Sequence, residues 1–505
     1  MKPIVVILSS LLALCSLHLR LFAQAPSHII EVNADDLEDR LRGGMLAQVI
    51  GNLNGLPHEF KYINSPGKVE EYTPSLPEGA YTDDDTDIEW VYLREITRTR
   101  EIFLKPAQIT AQWKQHINRR IFCANMYARG LMNLGIEPPW TGNIALNPWS
   151  DFNISGQFVC ESFGLMAPGM PQTAARLGLN YTHTAIDGEP AQGTQLFTTM
   201  ISTACVETDL EKILDAGLAA VDPKSDIANV VTTVRELHHK HPKDWRAVRR
   251  EFKTLWQPLG GVMRERNGYE LNTACVIAAL LYGNKDFVET LRYAFNFGWD
   301  ADCDAATAAT IVGVMKGRRW MDQQGWNIKD VYRNTTRDDM PNDETLTGLG
   351  NLVVEAARLT IEKNGGELIS SPSPTGRGQG EGAAKTENTR IYRIPTQQPA
   401  NVEPLSTSAD QIARAKKEFL PKLAHDLTAP GDARARAAYI AICLGESDQL
   451  KTDSPDAWSA AIAELEKHKA VVHNIFTAPE PGSKELKQAA LAAGLHEPTK
   501  QTAAP

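Results

Sequence analysis

From Asp36 to Asn54 apolar side chains recur at Leu37, Leu41, Met45 with Leu46, Val49 with Ile50, and Leu53. This spacing of three and four puts them on one face and predicts an amphipathic helix, which Gly55-Leu56-Pro57 ends in a loop. The same periodicity predicts helices over roughly 84–104, 107–135, 171–179, 191–221, 225–240, 244–256, 270–282, 284–297 and 303–318. Few alternating β-branched runs lie between them, so the fold class is all-α. Near residue 365 the pattern dissolves into GGELISSPSPTGRGQGEGAAKTENT, too rich in Gly, Ser and Pro to bury a core. This predicts a disordered linker over 366–407. Helical spacing returns over 409–425, 432–444 and 455–475, so 408–505 reads as a small C-terminal helical region with no recognisable motif.

The 505 residues allow more than one folded unit, at roughly 150 residues each. Apolar residues are 42% and charged residues 23%, enough to build a large core. The net charge of −10 leaves no basic field for phosphate backbones, so a nucleic-acid partner is disfavoured.

Residues 1–25 have the build of a secretory signal: Lys2, an apolar stretch from Ile4 to Leu17, and small residues at Ala23 and Ala25. Cleavage after Ala23 and after Ala25 are both readable, and an uncleaved anchor is the other reading. The expectation is an exported chain, periplasmic or secreted, with no transmembrane span once the signal is removed. Six cysteines lie beyond it, at 123, 160, 205, 275, 303 and 443, too unevenly spaced for a disulfide scaffold or a zinc site.

Two acidic clusters carry the chemistry. Tyr81-Thr82-Asp83-Asp84-Asp85-Thr86-Asp87 stands just before a predicted helix, where carboxylates gain from the helix dipole. Taken alone it also reads as an acidic capping turn in water. Gly298-Trp299-Asp300-Ala301-Asp302-Cys303-Asp304 leads into AATAATIVGVMKG, a helix of small residues that must pack closely. If both clusters meet in one cleft, their charges repel unless protons or a cation offset them. Oxygen donors of this kind suit Mg²⁺, Mn²⁺ or Ca²⁺ better than zinc. An EF-hand loop begun at Asp300 fails at Ala305 and Ile311, where it needs Gly and Glu. The Asp83–Asp87 run satisfies the DDxxD pattern of terpenoid synthases, but no second matching motif accompanies it. A dehalogenase-type phosphatase reading of Asp300-x-Asp302 lacks its apolar strand.

Three motifs in order resemble those of the ADP-ribosylglycohydrolase family, including the dinitrogenase-reductase-activating type, over roughly residues 38–360. Gly51-Asn52-Leu53-Asn54-Gly55-Leu56-Pro57-His58-Glu59-Phe60 is similar to its G-D-x-x-G-x-P-x-E-F, with Asn52 at the aspartate. The 82–86 run is similar to its T-D-D-T turn, in a register that ends on Thr86 or one that starts from Thr82. Residues 298–306 are similar to its G-G-D-T-D-T-N-A-A motif, with Cys303 at the threonine and Asp304 at the asparagine.

The resemblance implies an orthogonal helical bundle over 26–365 holding two Mg²⁺ ions, or Mn²⁺ in their place. Asp83, Asp84 and Asp85 would bind them from one side and Asp300 and Asp302 from the other, with Cys303 a poor ligand for a hard cation and Asp304 a further candidate. It implies a hydrolase that cleaves a ribosyl-type bond of a small glycoside or an ADP-ribosylated substrate. The catalytic candidates are Glu59, Asp85 and Asp302. The alternative reading of Glu59 is a surface loop acid. The family's substrate loop is only loosely echoed at 153–158 and its arginine is missing, leaving Gly156 and Gln157 as substrate-binding candidates. His183, in a Thr-His pair, faces the cleft or serves as a core or capping histidine; Trp299 stacks on substrate or packs in the core. Asn272 and Asn296 would orient backbone. A non-catalytic sugar- or nucleotide-binding relative with a degenerate site is the alternative.

Overall fold

The computed structural model describes residues 28–259, 262–372, 388–477 and 483–498. The expected signal, 1–25, lies outside them. Helices dominate, as the periodicity requires. Ala34–Gly55 is one helix, capped where the Asn33 side chain accepts the Asp36 N–H at 3.1 Å. Asp84–Thr99, Pro171–Thr182, Asp226–Lys240, Trp245–Trp256, Tyr269–Gly283, Phe287–Phe297 and Ala301–Lys316 follow the predicted segments. Two predicted helices are each broken in two. The 107–135 segment is Pro106–His116 and Cys123–Asn133, and the 191–221 segment is Glu189–Ala204 and Leu210–Ala219. The Leu346–Lys363 helix was not anticipated.

The Ala34–Gly55 and Ala301–Lys316 helices pack along a ridge of small residues. Gly43, Ala47, Gly51 and Gly55 recur every fourth position and so share one face. A Cβ added at Gly51 would strike the Ala305 carbonyl, and one added at Gly55 would strike the Asp302 Cα. On the other helix, a Cβ added at Gly313 would meet Ala47. This close approach sets the second acidic cluster against the end of the first helix.

Two small sheets qualify the all-α reading without changing the class. The expected disordered linker is where the structure differs most. Glu367–Pro372 and Asn388–Thr396 form antiparallel strands, and the latter also pairs with His28–Asn33, giving a three-stranded sheet. Residues 373–387, the centre of the expected linker, lie outside the described residues. In the Asn388–Thr396 strand buried Tyr392 and Ile394 share one face while Arg393 between them is exposed, enough apolar surface to order it. The other sheet joins Ala80–Tyr81 to Tyr332–Arg333 in parallel, and that strand to Asp343–Glu344 in antiparallel.

The C-terminal helices, from Ser408–Thr428 to Ser483–Ala493, do not stand apart. Trp458, Tyr439 and Leu465 share a core with Tyr127, Leu131, Leu146, Trp149 and Ile186. The Tyr439 hydroxyl donates to the Leu146 carbonyl. No helix among the described residues is long and apolar enough to cross a membrane.

Candidate metal centre

Both acidic clusters occupy helix N-termini. Asp83 precedes Asp84–Thr99, its carbonyl accepting the Thr86 and Asp87 N–H groups at 3.0 and 2.9 Å, so Asp84, Asp85 and Asp87 fall in the first turn. Asp300 likewise precedes Ala301–Lys316 and puts Asp302 and Asp304 in its first turn. The small sheet fixes the approach to the first cluster, since the Thr82 N–H donates to the Arg333 carbonyl at 2.9 Å. Asn272 fixes the second, accepting the Asp300 N–H at 3.1 Å, and Asn296 holds both backbone groups of Val69 at 2.8 Å. Both asparagines therefore orient backbone, as expected.

The clusters meet over the end of the Ala34–Gly55 helix. Carboxylate oxygens of Glu59, Asp300 and Asp302 all lie within 4.8 Å of one another, as do donor atoms of Asp85, Asp302 and Cys303. Asp302 belongs to both groups. At their junction stands Asn52, fully buried, whose Nδ2 donates to Asp85 Oδ2 at 2.5 Å and Asp83 Oδ2 at 2.9 Å and reaches Asp302 Oδ2 at 3.5 Å. The Cys303 thiol donates to Asp85 Oδ1 at 3.0 Å, and Asn267 Nδ2 donates to Asp300 Oδ2 at 2.8 Å.

The electrostatics follow from burial and crowding. Desolvation, then the charges of Asp302, Asp83 and Asp84, raise the Asp85 pKa well above the usual carboxylate range. Burial, then Asp300, Glu59 and Asp83, do the same to Asp302. Asp84 and Asp300 are raised for the same two reasons. Glu59 is exposed to the cleft, yet partial desolvation and the charge of Asp83 raise its pKa too. Asp87 stands aside, ion-paired to fully buried Arg337 at 2.8 Å.

A divalent cation fits this donor set. Asp302 Oδ1 is buried without a hydrogen-bond partner, and so is Asn52 Oδ1. Unpaired buried oxygens among crowded carboxylates are what a hard cation neutralises. The floor opens into a cleft of about 690 Å³, lined further by Tyr81, Arg120, Phe122, Met126, Trp149 and Phe158.

The sequence model of the ADP-ribosylglycohydrolase family matches residues 33–362, well over half of the chain. The chain belongs to the ADP-ribosylglycohydrolase family. No curated protein matches it. Membership makes it a relative of glycohydrolases, which are hydrolases, in a family that is typically metal-dependent, and the all-α architecture agrees.

Within this ADP-ribosylglycohydrolase scaffold the predicted residues divide. Glu59, Asp83, Asp84, Asp300, Asp302 and Cys303 line the cleft, and Asp85 adjoins them through Asn52 and Cys303. Asp304 sits behind the cluster, fully buried, accepting from Gln157 Nε2 at 3.1 Å. Gly156 and Gln157 are packing residues rather than cleft residues. A Cβ at Gly156 would strike the Pro190 carbonyl, and the loop reaches the cleft through Asn153, Ser155 and Phe158 instead. His183 turns away from the cleft, held by the Ile186 carbonyl and Glu403 Oε1, each at 3.0 Å. Trp299 is a core residue: it is fully buried, and the Arg249 guanidinium stacks 4.1 Å from its ring centroid.

Some contributors were not foreseen. Asn52 was noted only as a departure from the family aspartate, and its bridging role depends on partners far along the chain. Gln48 donates to the Asp85 carbonyl at 2.9 Å and to Glu89 at 2.8 Å, tying the first cluster to a buried glutamate. Burial raises the Glu89 pKa to about 7, although hydrogen bonds from Gln48 and Ser162 oppose it. Helical spacing marks Gln48 and Glu89 only as core-facing polar positions, the one signal in the sequence that points to them.

Proposed function

We propose that this chain is an exported, divalent-cation-dependent glycohydrolase that cleaves a ribosyl-type N- or O-glycosidic bond, ADP-ribosyl or related. The observation that supports this most is the convergence of Glu59, Asp85, Asp300 and Asp302 on the foot of one cleft in a chain of glycohydrolase ancestry. Asp83, Asp84, Asp85, Asp300 and Asp302 are the residues we assign to hold two Mg²⁺ ions, or Mn²⁺. Cys303 adds a sulfur that such ions bind poorly. When bound, the cations supply Lewis-acid charge that holds and polarises sugar oxygens.

The protein's own groups do the rest. Carboxylates at the floor offset positive charge as it builds at the anomeric carbon. Glu59 is open to the cleft, and partial burial and the charge of Asp83 raise its pKa, which favours its protonated form relative to a free glutamate; its carboxyl can deliver that proton to the leaving-group atom or orient a water.

The test is sugar release by the full chain, stripped with a chelator and then given Mg²⁺ or Mn²⁺. Hydrolysis should return with the cation and be lost in Asp84→Asn and Asp302→Asn; undiminished turnover by both variants would sink the assignment. Asn52 and Cys303, both departures from the family motif, favour a second reading: a sugar or nucleotide binder without turnover. Ligand affinity in the complete absence of product, with cation present, would select it. Export rests on residues 1–25, and a mature N-terminus at Gln24 or Pro26 in the exported fraction is its check.

A further inference from the structure

The cleft is chemically divided. Its floor is acidic, with Glu59, Asp83, Asp84, Asp300 and Asp302 all lining it. Its mouth is apolar: Tyr81, Phe122 and Met126 are 43%, 53% and 37% exposed. Among the described residues nine large apolar side chains stand exposed, and these three gather around one opening rather than scattering singly. An apolar patch at the rim of a cleft marks a surface that a ligand covers.

The backbone at the rim is held in an unusual state. Phe60, Arg120 and Cys123 all line the cleft and all have left-handed backbone, with φ of 50°, 50° and 48°. None is glycine, so each conformation is unfavourable in itself, and such residues gather at ligand sites. The turn that contains Arg120 and Cys123 is what presents Phe122 outward. Behind it, the Cys123–Asn133 helix carries Met126 and is backed by the Lys469–Thr477 helix, which gives the C-terminal region a part in shaping the mouth.

Cationic side chains are scarce there. Among the described lining residues Arg120 is the one cation, and its charge already faces Asp83. Arg266 lies over the Phe60 ring, 5.6 Å from its centroid. A diphosphate placed at this mouth would find few guanidinium partners, whereas a flat, uncharged ring would meet Phe122, Tyr81 and Met126.

We infer that the substrate is a glycoside whose leaving group is uncharged, flat and aromatic, of the nucleobase or aryl class, seated on the Phe122–Met126 rim while the sugar faces the acidic floor. The inference deepens the glycohydrolase reading and rests on it. It relocates aromatic recognition from Trp299, which is sealed in the core, to the exposed rim.

The test compares an aryl riboside, an uncharged nucleoside, methyl riboside and an ADP-ribosyl conjugate, using the full chain with Mg²⁺ or Mn²⁺. The aryl riboside or the nucleoside should be preferred over both others by about tenfold or more in kcat/KM, and the two arms separate the aryl from the nucleobase source. Phe122→Ala should lower the aryl-to-methyl selectivity about tenfold through KM, and Phe122→Tyr should restore it. Since Phe122 is 53% exposed, unchanged melting of the variant confirms that the fold is intact. Preference for the ADP-ribosyl conjugate, indifferent to Phe122→Ala, would overturn the inference and leave the glycohydrolase reading standing. If nothing is hydrolysed, calorimetry decides. Aryl riboside binding that Phe122→Ala abolishes upholds the rim while the enzyme reading falls; absence of binding ends both.

Discussion

Replacing Asn52 by aspartate exchanges the donor at the centre of the acidic floor for another carboxylate. The wild-type amide donates to Asp85 and Asp83 at 2.5 and 2.9 Å and reaches Asp302 at 3.5 Å. Hydrogen bonds to charged groups are worth about 1.5–3 kcal/mol each, so losing the two shorter ones costs roughly 3–6 kcal/mol. An uncompensated buried charge costs about 3–5 kcal/mol by a separate route, and the two figures agree near 4 kcal/mol. At roughly 2 °C per kcal/mol, the chelator-treated variant should melt about 8 °C below the chelator-treated wild type. With cation the deficit shrinks, because Asn52→Asp adds a hard oxygen ligand where an amide stood. At saturating cation, a roughly hundredfold tighter affinity than wild type is worth about 2.7 kcal/mol to the variant, recovering most of the deficit. The melting difference should also shrink as pH falls, since the raised pKa values of Asp85 and Asp302 let the floor protonate early. Differential scanning fluorimetry in chelator, Mg²⁺ and Mn²⁺ reads all three effects. An Asn52→Asp variant as stable as wild type in chelator, or equally destabilised with and without cation, would refute the reasoning.

Three further predictions address other parts of the chain. Cys303→Thr replaces a poor ligand for hard cations with a hydroxyl, so Mg²⁺ affinity measured by calorimetry should rise about tenfold and affinity for thiophilic cations should fall. Gly55→Ala pushes a methyl against Asp302 Cα, costing about 2 kcal/mol of stability and weakening cation binding in the same titration. The His183–Glu403 contact holds the segment that leads into the C-terminal helices: burial opposes the imidazolium charge, but Glu403 and Asp187 outweigh it and raise the His183 pKa to about 9. Its stabilisation is complete below the unfolded histidine value near 6.5 and fades as pH rises through about 9, while the lowered Glu403 pKa sustains it down to the acid range. Glu403→Gln should therefore reduce melting temperature between about pH 5 and 7 by the equivalent of about 1 kcal/mol, a figure discounted because the Glu403 side chain is 36% exposed, and have little effect above pH 10.

Periodicity was sufficient for the helices that bury one apolar face, because their partners only need to be apolar. It failed where a break carried no punctuation. The stretch His116-Ile117-Asn118-Arg119-Arg120-Ile121-Phe122 has neither Gly nor Pro, so its turn through left-handed Arg120 was read as continuous helix, and Phe122 was hidden inside it. The His28–Asn33 strand was equally illegible, since its partner lies more than 350 residues away. The acidic floor was legible because each half is contiguous, whereas the meaning of Asn52 depends on Asp302, 250 residues on. His183 shows the limit of a dipeptide match: nothing within the Thr182-His183 pair says that Glu403 holds the ring.

The central claim is that two separate acidic runs make one cation site. Calorimetric titration of Mg²⁺ and Mn²⁺ into the chelator-treated full chain and its Asp302→Asn variant tests it most directly, because Asp302 is the residue common to both ligand groups. The account predicts two bound ions per wild-type chain and a loss of at least one in the variant, with the remaining affinity reduced. Identical binding by the two proteins, or no binding by either, would contradict it.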